Sequence, residues 1–231
     1  MTPGLSEDLL EVNDARKTAV INNELCRVQM DIVALQETRL PTTGRIREKD
    51  FTSFWQHKPP EELHIAAEIV SLIKAYAPTL TTSTKAKDEY YNDFGPTLRD
   101  VPQQEPVFLL GDLNARVGSD HSSWPSCLGQ FGFGKMNENG QCLLEFCCRH
   151  DLCIIYSFFE TIPQHKVSWR HPRSKHWHQL HLVLTGRNNL RNVKLTRSFQ
   201  SADCDTDHSL VVCKVPTPEN PQSKDGGKTT H

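Results

Sequence analysis

A chain of 231 residues, 37% apolar and 23% charged, is long enough for one substantial core and for a single large α/β domain. A formal charge of −2 implies no nucleic-acid partner by itself, so such a partner needs a local basic patch. No apolar run approaches the ~20 residues that span a bilayer, and residues 1–4 do not open a basic-then-apolar leader.

Eight cysteines are present. Without a secretory signal they read as reduced thiols of an intracellular protein, nuclear or cytoplasmic. A zinc site from Cys147, His150 and Cys153 can be drawn. There is no C-x2-C pair to support it, and small buried hydrophobes are the plainer reading.

In chain order, residues 13–30 have helical spacing, with Asn13 or Asp14 as cap. Residues 31–38 form a buried strand with Glu37 just past its last apolar residue, at the carboxyl edge where α/β sheets gather their sites. Residues 41–60 read as loop. Residues 61–76 fit a helix or a strand, and Tyr76 alone reads as a packing residue. Residues 84–99 form a helix with an inward stripe of Tyr90, Phe94 and Leu98, which Gly95-Pro96 should kink or end.

The chain is organised around residues 107–116. Val107, Phe108, Leu109 and Leu110 make a buried strand that stops at Gly111. Asp112 and Asn114 follow at a spacing of two, which on a continuing strand points both to one side. A carboxylate can bind a hard cation or orient water, and an amide can hold a phosphate oxygen. The alternative is an Asx turn closing the strand.

Residues 118–138 form a glycine-rich loop with no phosphate-loop spacing, and residues 139–150 return to helix. Strands follow at 153–156, 180–184, 191–199 and 210–215. Residues 165–178 interleave cations with indoles. Lys166, Trp169, Arg170, Arg173, Lys175 and Trp177 suit a phosphate backbone and exposed bases, or else a solvated hairpin with its Trp residues packed inward. Asp207-His208 opens the last strand, and His is a natural acid–base group near neutral pH. Residues 1–215 read as one domain and residues 216–231 as a disordered Pro-, Lys- and Gly-rich tail. There is no internal repeat.

Gln36-Glu37-Thr38, Ala75-Tyr76-Ala77-Pro78, Gly111-Asp112-Leu113-Asn114-Ala115 and Asp207-His208-Ser209 occur in that order. Together they resemble the endonuclease/exonuclease/phosphatase superfamily, most of all its retrotransposon-endonuclease branch. The resemblance implies a four-layer α/β sandwich of two mixed sheets with helices outside. It also implies phosphodiester hydrolysis with Mg²⁺ (or Mn²⁺), on nucleic acid and most simply DNA, by a monomer away from membranes.

Carried over by motif, Glu37 resembles the metal-binding carboxylate and Asp207 an acidic residue near the metal. Asp112 resembles the residue that aligns or deprotonates the attacking water, with Asn114 assisting. Tyr76 and His208 resemble the phosphate-contacting pair. Against the family pattern, the first strand and several strands of one sheet are expected to be missing. His181 stands where the family places an Asp that orients the catalytic His. Two readings follow: a hydrolase of impaired turnover, or a degenerate relative that binds nucleic acid or protein.

Overall fold

The computed structural model describes residues 71–199 and 208–215 in full, and the backbone of residues 44–47 and 52–55. Glu37, Asp207, the helix expected over 13–30, the strand over 31–38 and the tail lie outside the described residues.

Residues 41–60 are not all loop. The strands β1 (Gly44–Arg47) and β2 (Thr52–Trp55) pair antiparallel, Gly44 opposite Trp55 and Arg47 opposite Thr52.

Of the ambiguous segment 61–76, the described residues form a strand, β3 (Ser71–Tyr76), with Ser71, Ile73 and Ala75 buried in alternation. A helix, α1 (Thr84–Asp100), follows, and Ser83 caps it by accepting from the Ala86 N–H at 3.4 Å. The helix does not break at Gly95-Pro96. Pro96 removes one donor on an exposed turn, and its would-be acceptor Asn92 is also exposed, so water can serve that carbonyl. Gly95 is buried beneath His150, whose ring would lie 3.3 Å from an added Cβ. The inward stripe forms as expected: Phe94 is buried, its ring 5.8 Å from that of Tyr90 and 5.8 Å from that of Phe146.

The central strand β4 (Val107–Asp112) runs parallel to β3 and antiparallel to β8 (His181–Gly186). The second helix is α2 (Glu138–Arg149). It is followed by β5 (Leu152–Ile154), which closes a four-stranded mixed sheet of order β3-β4-β8-β5. β5 is shorter than the strand expected at 153–156 because residues 155–158 coil into a 3₁₀ turn. Likewise β9 (Leu195–Phe199) starts late, since residues 187–192 take a 3₁₀ turn, and it pairs with β10 (Leu210–Lys214).

Burial divides each strand between two cores. Ile73, Leu109, Leu182 and Leu184 meet Phe94, Leu143, Leu144 and Phe146 of the helices. Phe108 and Val183 belong to the opposite core, with Leu72, Leu110, Val211 and Cys213 against it, where β10 packs. The described residues therefore stack as helices, mixed sheet and strand pair. No helix among them is long and apolar enough to cross a membrane.

The chain leaving β4 is tied to the start of α2. Asn137 caps that helix, its Oδ1 accepting from the Gly140 N–H at 2.8 Å and from the Arg116 N–H at 3.0 Å. The Asn139 amide donates to the carbonyls of Pro78 (2.9 Å) and Asn114 (3.1 Å). Gly140 permits this approach, since a Cβ there would lie 1.8 Å from the Arg116 carbonyl oxygen. Gly140→Ala should therefore cost about 3 kcal/mol through overpacking, lowering Tm by roughly 6–12 °C for a chain of this size. Thermal unfolding followed by circular dichroism checks it; an unchanged Tm contradicts the clamp.

Candidate active site at the carboxyl end of the central strand

The register of the sheet builds the site. Tyr76 lies opposite Asp112 across β3 and β4, and Asp112 lies opposite His181 across β4 and β8. Strand alternation puts Asp112 on the face of Phe108 and Leu110, and His181 on the face of Val183. That is the face on which β10 packs. Three chemically useful side chains thus stand in a row at one rim. Tyr76 is 55% exposed, whereas Asp112 is 5% exposed.

Asn114 reaches the rim differently from the spacing argument. β4 ends at Asp112, whose Oδ1 accepts the Asn114 N–H at 2.9 Å. This Asx turn carries Asn114 into the left-handed region at φ 47°, which Asn tolerates. Its side-chain amide then donates to the Ala77 carbonyl at 2.9 Å. Asn114 is held beside Asp112 by the turn and not by a period of two.

Burial raises the Asp112 carboxyl above its ordinary range; the Asn114 N–H and the charge of His208 partly offset this. His208 is therefore electrostatically in touch with Asp112.

Ser168 brings His208 in. Its buried hydroxyl accepts the N–H groups of Leu180 (3.1 Å) and His181 (2.9 Å), while its carbonyl accepts the Ser209 N–H at 2.7 Å. One residue thus fastens the start of β8 to the segment that carries His208, and Trp169 forms a β-bridge with His208. The outcome is a direct contact, His208 Nδ1 to His181 Nε2, at 2.7 Å. The two rings are 11° from parallel with centroids 4.7 Å apart, which with so short a nitrogen–nitrogen distance describes rings joined edge to edge.

The basic segment divides. It forms a short hairpin of β6 (Trp169–Arg170) and β7 (Trp177–His178). Arg170, Arg173, Lys175 and Trp177 are exposed, and the Arg170 guanidinium lies 5.9 Å from the Trp177 ring centroid. Trp169 turns partly inward, its ring 5.3 Å from that of His171 and 6.5 Å from that of His208. Lys166 departs from expectation. It is buried, with its ammonium donating to the Phe131 carbonyl and lying 5.8 Å from the Phe131 ring centroid, so it serves the interior and not the exposed surface.

A cavity of about 120 Å³ adjoins the hairpin, lined in part by Arg116, Lys135, Trp177, His178 and Gln179. Burial first, and then the charge of Arg116, lower the His178 imidazole. Arg116, Lys135 and Ser168 were not singled out from sequence. Arg116 could have been, since it follows the Gly-Asp-x-Asn motif by two residues; nothing local marks Lys135 or Ser168.

Among the described residues no three His, Cys, Asp or Glu side chains form a metal-binding group. The zinc triad drawn from sequence does not assemble: the His150 ring packs on Phe146 at 4.5 Å, and the Cys153 thiol donates to the Ser126 carbonyl at 3.6 Å. Of the rim residues, Asp112 supplies the hard oxygen donor that a magnesium-type ion prefers, and Mg²⁺ takes only one or two carboxylates. The described part of the rim therefore fits such an ion as a partial donor set.

Two variants test this geometry. A carboxyl whose folded pKa is raised adds its full stability below the unfolded pKa and loses it as pH rises through the folded one. Ionised Asp112 thus costs stability at neutral pH. Asp112→Asn keeps the Asn114 bond and removes the charge, so it should raise Tm at pH 7, with the gain disappearing as pH falls below about 4. A gain that persists at pH 3 contradicts this. Ser168→Ala strands two backbone donors at a cost of about 2 kcal/mol, a Tm loss of roughly 4–8 °C. Ser168→Thr should recover most of it in the same thermal melt.

No family model matches the sequence. Craniofacial development protein 2 of Bos taurus is 24% identical over 228 residues, covering 86% of this chain and 38% of the bovine protein. The chain thus spans under two-fifths of the length of that relative. Among solved structures, the 3′ phosphatase NExo from Neisseria, bound to a product DNA hairpin, gives a TM-score of 0.50 at 14% identity over 79% of this chain and 86% of that one. The endonuclease domain of TRAS1, a telomere-specific non-LTR retrotransposon, gives 0.48 at 13% identity over 68% and 62%. By sequence the chain is similar to craniofacial development protein 2, and by fold it is similar to the 3′ phosphatase NExo.

Proposed function

We propose that the chain is a divalent-metal-dependent phosphodiester hydrolase, an endonuclease acting on DNA, built as a four-layer sandwich. The packing of helices on one face of the mixed sheet and a strand pair on the other supports that architecture. One observation carries the reading: Asp112, His181 and His208 come from three separate parts of the sequence and meet at one rim, with Tyr76 and Asn114 beside them.

In this reading Asp112 orients the attacking water and takes its proton, a role suited to a carboxyl raised by burial. Asn114 holds that water or a phosphate oxygen. Tyr76, exposed at the rim, contacts the phosphate, and His208 meets the charge that develops on it. Glu37 and Asp207 would hold Mg²⁺ or Mn²⁺ with Asp112 nearby. The ion, when bound, supplies charge neutralisation at the phosphate. Arg170, Arg173, Lys175 and Trp177 would take the flanking backbone and a base, with Trp169 supporting the hairpin and Arg116 and Lys135 widening the cationic surface. The product hairpin held by NExo supports DNA as the partner.

Supercoiled, nicked and abasic DNA incubated with the purified protein and Mg²⁺ or Mn²⁺ test the reading. Cleavage should fall at least about 100-fold in Asp112→Ala, the low end of what a general base contributes. The variant R173Q/K175Q should weaken DNA binding and reduce the slope of log K against log salt by about 2, near one per lost phosphate contact. No cleavage above the Asp112→Ala control refutes the hydrolase and leaves a binding protein. A salt slope unchanged in R173Q/K175Q removes the hairpin from the interface.

A further inference from the structure

Two thiols meet away from the rim. The loop between β4 and α2 carries Cys127 into the core, where it is buried. Cys148, in the last turn of α2, is exposed. Their Sγ atoms are 3.5 Å apart, although the residues stand 21 positions apart in the chain. Both are free thiols, and nothing in the reaction at Asp112 and His208 uses them.

The surrounding backbone holds this contact. The Cys127 N–H donates to the Trp124 carbonyl at 3.3 Å, and its carbonyl accepts the Ile154 N–H of β5 at 2.9 Å. Its thiol donates to the Leu144 carbonyl at 3.8 Å, one turn before Cys148 on α2. The Arg187 guanidinium donates to the carbonyls of Pro125 and Ser126. The Ser126 carbonyl also accepts the Cys153 thiol at 3.6 Å, and the Ser126 hydroxyl lies 3.2 Å from Cys148 Sγ. The loop is thus fastened to β5, to α2 and to the 3₁₀ turn after β8 at the point where the two sulfurs face each other.

We infer that Cys148 and Cys127 are a peroxide-reactive pair, with Cys148 the attacking sulfur and Cys127 the sulfur that resolves it as a disulfide. Exposure assigns the roles, because the sulfur that meets solvent is the one a small dissolved oxidant reaches. Burial first, and then the contact with Cys148, raise the Cys127 thiol to about 12, which withholds it from direct attack on peroxide at neutral pH. In the first step Cys148 Sγ, as thiolate, bonds to one peroxide oxygen. The O–O bond breaks, and hydroxide leaves and takes up a proton to become water. Cys148 is then a sulfenic acid. In the second step Cys127 Sγ bonds to Cys148 Sγ, the S–O bond breaks, and hydroxide leaves with the Cys127 thiol proton as a second water. Two thiols lose two electrons, and the peroxide that accepts them becomes two waters. The sulfurs close from 3.5 Å to about 2.05 Å, a movement that the exposed side chain of Cys148 is free to make. This chemistry does not depend on the hydrolase reading.

Peroxide treatment of the full chain tests it. The protein is reduced, freed of reductant, exposed to equimolar hydrogen peroxide, alkylated, and digested without reduction for mass spectrometry. The expected product is a crosslink between Cys127 and Cys148, with two of the eight thiols lost and both restored by dithiothreitol. In urea sufficient to unfold the chain, the preference for this pair should disappear. Cys127→Ser should leave a sulfenic acid on Cys148 that dimedone traps, and Cys148→Ser should leave Cys127 unreactive. No oxidation at Cys148, a crosslink from Cys148 to a different cysteine, or the same preference in urea overturns the inference. If Cys127→Ser does not fold, the wild-type crosslink map and the exposed variant Cys148→Ser decide.

Discussion

The site depends on the register of β4. Its parallel pairing with β3 and antiparallel pairing with β8 bring Tyr76, Asp112 and His181 into one lateral row. A slip of one residue in either ladder would turn the displaced side chain to the opposite face. The register is held by burial on both sides. Leu109 must meet the helices and Phe108 the strand pair, so a slipped strand would exchange its two sets of apolar contacts. The chemistry at the rim is thus protected by a core that does not take part in it.

What lies past the strand is held by hydrogen bonds. The Asx bond at Asp112, the cap at Asn137, the Asn139 amide and the bare Cα of Gly140 fix the chain from Asn114 to Arg116 against α2. Ser168 does the same on the other side, joining β8 to the segment of His208. The burial of Asp112 has a double effect. It withholds water from a carboxylate and so costs stability when that group is charged, yet it places the group's proton affinity nearer to that of a useful base.

Much of this was legible in the chain itself. Four consecutive apolar residues announced β4, the Tyr90–Phe94–Leu98 stripe announced the inward face of α1, and the motif residues Tyr76, Asp112, Asn114 and His208 do meet. Other features were out of reach of local pattern. Pro96 sits inside a helix because its missing donor falls on a wet turn, which no sequence window reveals. Lys166 reads as one cation in a basic run, but its burial against Phe131 is set by a loop 35 residues away. Ser168 is a small polar residue with four backbone partners, at His178, Leu180, His181 and Ser209, supplied by the tertiary fold. His181 was visible as a departure, an imidazole where the family has a carboxylate. Only the structure shows it in direct contact with His208, as a partner and not a vacancy.

The central claim is that β8 and the segment leading into β10 bring His181 and His208 together. A double-mutant cycle with His181→Ala and His208→Ala, read as stability in urea, tests it without requiring catalysis or metal. Contact predicts a coupling of at least about 0.5 kcal/mol. Additivity within about 0.3 kcal/mol, as for residues that do not touch, would contradict it.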